Sequence, residues 1–185
     1  MAEYYLISQL PSLDGMGENT PVPITEERFF ELCCRFLKEK ARRELEDLSL
    51  LPQRQPEKSG SKLIRAWNEG ERALRLALAK CRADKLGKPF DIKNESLPAE
   101  LIKLANTAVE CESPLEAENF LLRQRLGFLE SLRPSDNFSE EFVYYYALKL
   151  KLILRIRKFD PQKGESAYRN IYNSILDGDK TEALL

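Results

Sequence analysis

Apolar residues recur at helical spacing along most of this chain. From Thr25 onward, Phe29, Cys33 and Phe36 interleave with Phe30, Cys34, Leu37, Ala41, Leu45 and Leu48 to form one wide apolar face, and the positions between them are densely charged. Spacing of this kind marks an amphipathic helix. Thr25 supplies an N-cap, Glu26 and Glu27 suit the positive end of the helix dipole, and Pro52 and Pro56 close the run. The pattern therefore predicts one long helix over 25–51. PQRQPEKSGS reads as a turn, after which Ser61 caps a second helix to about Lys85, stopped by Leu86-Gly87-Lys88-Pro89. Together these predict a long antiparallel hairpin over 25–85. Gly70 stands in mid-helix, where glycine costs up to ~1 kcal/mol relative to alanine, and reads as the mark of a close helix crossing.

Residues 1–24 lack this periodicity. Tyr4-Tyr5-Leu6-Ile7 is a short apolar patch that would pin the N-terminus to the body, and Pro11, Gly15, Gly17, Pro21 and Pro23 predict a loop. Beyond the hairpin, Pro98 and Pro114 suit the first turns of helices over 98–110 and 114–131. Asp136 or Ser139 caps a helix to about Lys158, and Gly164 and its neighbours begin a last helix ending near Asp177-Gly178. The expectation is a single all-helical domain over 1–185: a non-helical segment 1–24, the hairpin 25–85 and a bundle 98–177, an elongated bundle of about six helices.

Composition narrows the chemistry. Apolar residues at 43% and charged residues at 32% suit a globular chain with a charged exterior, so disorder is not expected. The 29 basic and 30 acidic residues nearly cancel, which argues against generic polyanion binding. With no histidine, the commonest general base and the commonest zinc ligand are both missing. Cys33 and Cys34 are adjacent while Cys81 and Cys111 stand alone, so there is no CxxC pair, and the four thiols are expected buried or half-buried. Single glycines make no phosphate-cradling loop. No catalytic residue, metal site or cofactor is expected, and no small-molecule substrate. No signal peptide or membrane span is legible, so the chain is expected to be cytoplasmic with reduced thiols.

The stretch 142–159 is the most apolar and carries only basic charges: Lys149, Lys151, Arg155, Arg157 and Lys158. A helix apolar nearly all round belongs at the centre of a bundle. On that reading its basic side chains reach outward along their aliphatic stems. Lys151, Arg155 and Lys158 share a face at i, i+4, i+7 and are the candidate contacts for an acidic protein partner, joined by Tyr144 and Arg157. The three consecutive tyrosines could also stack on nucleic-acid bases, although their side chains diverge around a helix.

VYYYALKLKLILRIRKFDPQKGESAYRNIYNSIL (Val143–Leu176) resembles a segment of the C-subunit family of V-type ATPases and ATP synthases, through Tyr146, Leu150, Leu154-Arg155-Ile156, Gly164 and Ile171 to Ile175. The whole chain, beginning near YYLISQLPSL, also resembles a small bacterial family encoded among V-type ATPase genes. C-subunits usually have an acidic residue mid-way along the tyrosine-containing helix, where this chain has Lys149-Leu150, and a full C-subunit is much longer. The resemblance implies a non-catalytic accessory or central-stalk adaptor of a V-type ATPase or ATP synthase that supports rotor coupling and ion transport. Its partners would be other protein subunits, and it would meet the inner face of a membrane only through that complex. The alternatives are a helical interaction or assembly factor unrelated to the ATPase, and a nucleic-acid-binding protein using the basic segment 149–169.

Overall fold

The computed structural model describes residues 2–16, 20–52, 59–90, 96–158 and 161–182. Among these the chain forms eight helices and no strand: α1 (Ala2–Ser8), α2 (Glu26–Phe36), α3 (Glu39–Glu46), α4 (Lys62–Lys85), α5 (Ala99–Glu110), α6 (Pro114–Ser131), α7 (Glu140–Lys158) and α8 (Pro161–Glu182). The all-α expectation holds.

α7 is the axis of the bundle. Val143 through Leu150, together with Leu152 and Ile153, are buried on every side of it. Around it lie α1, α2, α3, the first half of α4 and part of α6, which share the larger core. Leu74, Ala77, Leu78 and Cys81 on the second half of α4 close a smaller core with Ala105 and Ala108 of α5 and Leu121 of α6. α4 and α6 thus run through both cores. Each fully buried large side chain contributes about 1.5–3 kcal/mol.

Three expectations are corrected. Residues 1–24 are not wholly non-helical, because Ala2–Ser8 form α1. Its Leu6 is fully buried and pins the N-terminus, whereas Tyr4 and Tyr5 are exposed. The long helix over 25–51 is two helices, α2 and α3, separated by extended backbone at Leu37 (φ −83°, ψ 146°) and Lys38 (φ −65°, ψ 154°). A straight helix over that span would be about 40 Å long against about 28 Å for α7. The break lets Phe29, Leu32 and Cys33 of α2, Leu37 at the corner, and Ala41 and Leu45 of α3 all reach the same core. The hairpin over 25–85 is consequently not formed. α2 packs on α1 and α3 on α7, while α4 lies along α5.

The remaining boundaries follow their caps. Ser61 Oγ accepts from Ile64 N at 3.1 Å, Ser113 Oγ from Glu116 N at 3.1 Å, and Ser139 Oγ from Phe142 N at 3.3 Å. The start of α4 has a second cap from across the fold. Glu141, in the first turn of α7, accepts from Ser61 Oγ at 2.8 Å, Lys62 N at 3.1 Å and Leu63 N at 2.9 Å. A carboxylate at a helix N-terminus answers both the orphan amides and the dipole. Gly70 does mark a close crossing: a Cβ there would lie 2.4 Å from the Phe128 ring of α6.

Candidate functional site

α7 places the contacts expected from spacing in quite different settings. Lys151 pairs with Glu26 of α2 and sits 5.5 Å from the centre of the Phe30 ring. Arg155 turns to α6, where Nε and Nη2 donate to Glu118 Oε1 at 2.8 and 2.7 Å. Lys158 is exposed at the end of the helix, and Arg157 donates to the Thr20 carbonyl. The expected strip is therefore partly engaged within the fold, its first two members held by different helices.

Tyr144 is a correction. It is 2% exposed, with its hydroxyl 3.5 Å from the Ala41 carbonyl, and so cannot be a partner contact. Burial, reinforced by the nearby Glu44 and Glu140 carboxylates, pushes its phenol above the usual range. Tyr145 and Tyr146 are equally buried and donate to Glu130 (2.7 Å) and the Pro11 carbonyl (2.8 Å). None of the three can stack on a nucleic-acid base.

Spacing gives Lys149 no partner role, yet it is the most constrained charge on α7. Its stem is buried, and its ammonium meets Asp14 at 2.5 Å, Glu130 at 2.7 Å and the Tyr145 hydroxyl at 3.3 Å. Burial alone would lower its pKa, but hydrogen bonds to Asp14, Glu130 and Tyr145 outweigh that and raise it. The station ties the 11–16 loop, α6 and α7 together. Among the thiols, Cys33 and Cys81 are buried, Cys111 is intermediate and Cys34 is exposed, which corrects the expectation for Cys34. Burial pushes the Cys33 thiol up to about 12, leaving it unreactive.

Two surface features carry more functional content. The first is a cavity of about 280 Å³ where α4, α6 and α7 meet, lined by Arg75, Arg82, Arg125 and Arg155 with Glu71 and Glu118. Glu71 is 2% exposed and is held by Arg125 through a two-pronged pair at 2.8 and 2.9 Å and by Arg75 at 2.9 Å. A carboxylate that deeply buried requires such partners.

The second feature is α8. Residues 164–175 are exposed throughout, and no other helix packs along it among the described residues. Its large apolar side chains are nonetheless in register: Tyr168 (67% exposed), Ile171 (61%), Tyr172 (51%) and Ile175 (58%) stand at i, i+3, i+4 and i+7. The two tyrosine rings stack with centroids 6.1 Å apart. Arg169, Asn170, Asn173 and Ser174 fall on the other side, and Arg169 pairs with Glu165 at 2.6 Å. Isolated exposed apolar residues are ordinary, but these four form a continuous apolar face on a helix with no packing partner among the described residues. The stripe was legible in the sequence from its spacing alone.

Fold and surface together define a class: an all-α bundle around a buried axial helix, with an exposed amphipathic helix appended. Comparison with protein-family models, with curated proteins and with solved structures finds no match. No helix among the described residues is long and apolar enough to cross a membrane.

Proposed function

We propose that the protein is a non-catalytic helical adaptor of a V-type ATPase or ATP synthase, akin to a shortened C-subunit, that docks a neighbouring protein of the motor through α8. The observation that carries this reading is the α8 stripe itself. Tyr168, Ile171, Tyr172 and Ile175 lie inside Val143–Leu176, the segment on which the resemblance to the C-subunit family rests. In that segment α7 is the bundle axis and α8 projects an apolar face. The occupant that suits it is a helical subunit with an apolar groove, since anchors at i, i+3, i+4 and i+7 are how a helix reads such a groove. Exposed Lys158, close in sequence to the start of α8, would add electrostatic steering towards an acidic rim.

A tagged copy purified from its native cell at moderate salt tests the reading by mass spectrometry. V-type ATPase subunits are expected in the wild-type eluate and absent from that of Ile171→Asp/Tyr172→Asp. Their absence from the wild-type eluate, with the ATPase present in the lysate, sinks the rotary-motor assignment. Specific recovery of other proteins, lost in the double variant, would favour the alternative of an assembly factor outside the motor. ATPase capture that survives the double variant would keep the machine and reject α8 as the contact.

A further inference from the structure

From the arginine-lined cavity between α4, α6 and α7 we infer an oxyanion-binding site, whose ligand is a phosphate group, free or carried on a small monoester. Four guanidinium groups and two carboxylates line it, which leaves a surplus of two positive charges in a concave space. The ion pairs that knit the helices account for only part of the donor set. Arg125 uses Nε and Nη2 on Glu71, and Arg75 uses only Nε, so its two terminal nitrogens remain for a ligand. Arg82, two turns beyond Arg75 on α4, has no carboxylate partner among the described residues. Ion pairing within the fold engages Arg125 and Arg155, whereas Arg82 and the half-exposed Arg75 face solvent along the cavity lining, where a ligand can reach them.

Ligand class follows from charge, geometry and size. Guanidinium forks suit oxyanions, which they hold by paired N–H donors. A carboxylate would answer one of the two surplus charges, whereas a phosphate at neutral pH carries about −1.5 to −2. Leu121, Leu122 and Leu152, all buried, form an apolar floor that strengthens electrostatic contacts above it. At about 280 Å³ the space falls just below the roughly 300–1,000 Å³ typical of drug-sized ligands, which suits a small ion or ester. The chain's net charge of −1 supplies no general attraction for anions, so any affinity must be local.

The test is calorimetry and thermal unfolding of the full chain with inorganic phosphate and with glycerol phosphate, sodium chloride holding ionic strength constant. Saturable binding is expected, with a rise in Tm of about 3–6 °C at tenfold excess over Kd. Arg75→Gln/Arg82→Gln keeps the buried Glu71–Arg125 pair but gives up the Arg75 bond to Glu71, so its Tm in chloride should fall; measured below that Tm, it should bind at least tenfold more weakly. Arg28→Gln, an exposed change on α2, should bind as the wild type does. Tighter binding of inorganic phosphate identifies the free ion as the ligand, and tighter binding of glycerol phosphate identifies an ester; either result supports the site. Phosphate acting no differently from chloride, undiminished binding by the double variant, or equal weakening by Arg28→Gln each overturns it.

Discussion

A lysine on the central helix must draw its counter-charges from distant parts of the chain, and Lys149 takes one from the 11–16 loop and one from α6. The consequences for stability are asymmetric. Asp14 and Glu130 remain 55% and 41% exposed in their side chains, so water can re-enter around them if the lysine is lost. Lys149→Met, which keeps the aliphatic stem, should therefore cost about 1–3 kcal/mol in urea unfolding. Asp14→Ala/Glu130→Ala strands a buried ammonium and should cost more, about 3–5 kcal/mol. The reverse ranking would mean that Lys149 is solvated from another side.

The same cluster sets a pH window. The hydrogen bond from Lys149, opposed by burial, holds the Asp14 carboxyl below its usual range. Glu130 is likewise lowered, its burial outweighed by hydrogen bonds from Lys149 and Tyr145. Both contributions are complete above the unfolded carboxylate pKa of about 4 and are lost as pH falls through the lower folded values. Lys149 is raised, so its contribution is complete below about 10.4 and is lost as pH rises through its folded value. Tyr145, raised by burial and then by its bond to Glu130, is also lost on the alkaline side. Unfolding free energy should thus show a plateau between about pH 5 and 9. In Lys149→Met the acid limb should flatten, because the carboxylates lose the partner that lowered them; an unchanged acid limb would count against this network.

At the scale of elements, two contacts decide how α4 is placed. A methyl group at Gly70 would meet the Phe128 ring at 2.4 Å, a distance that forces movement. Gly70→Ala should destabilise the protein by about 1–2 kcal/mol even though alanine favours the helix by up to about 1 kcal/mol. In a Phe128→Ala background the clash is gone, and the same change should become neutral or stabilising. Failure of the sign to invert in that double-mutant cycle would mean the crossing is looser than its geometry. Glu141 supplies the other contact. Glu141→Ala removes acceptors from Ser61 Oγ, Lys62 N and Leu63 N, and should cost about 1–3 kcal/mol in denaturant unfolding.

Elements whose ends are fixed locally were legible in the sequence. Ser61 and Pro114 mark real helix starts, Ser139 rather than Asp136 caps α7, and Gly70 sits at the crossing its position suggests. The break at Leu37-Lys38 was not legible, since neither residue is a breaker and the apolar spacing continues across it. Only the length of α7 and the position of its core explain why the chain bends there. The hairpin fails because α4 pairs with the helix that follows it, α5, rather than with the segment that precedes it, a choice between two sequence neighbours that spacing alone does not make. At the candidate sites, spacing alone places Lys151, Arg155 and Tyr144 on one helix but does not say which are turned inward. Pairings such as Lys149 with Asp14, 135 residues apart, are set by tertiary structure and leave no local trace.

For the molecule as a whole, the division between a closed body and an exposed helix has a dynamic consequence. The body keeps its apolar groups in two cores that α4 and α6 bridge, so α7 amides should exchange only through global unfolding. α8 has no such protection, because its residues 164–175 are exposed on all faces, and most of a helix's stability in a protein comes from the packing that these residues lack. In native-state hydrogen exchange, α8 should open at a free energy near zero and α7 at close to the full unfolding free energy. Ile171→Asp and Ile175→Asp should then change global stability by less than about 0.5 kcal/mol, as surface substitutions do. That neutrality is what makes them clean probes of docking. When the partner of α8 is added, protection should appear at 164–175 in the wild type and not in the variants. The ordering of α8 would draw on the binding energy, leaving affinity modest for the area covered. If α8 were instead protected in the free protein, its apolar stripe would already be covered and the docking proposal would fail.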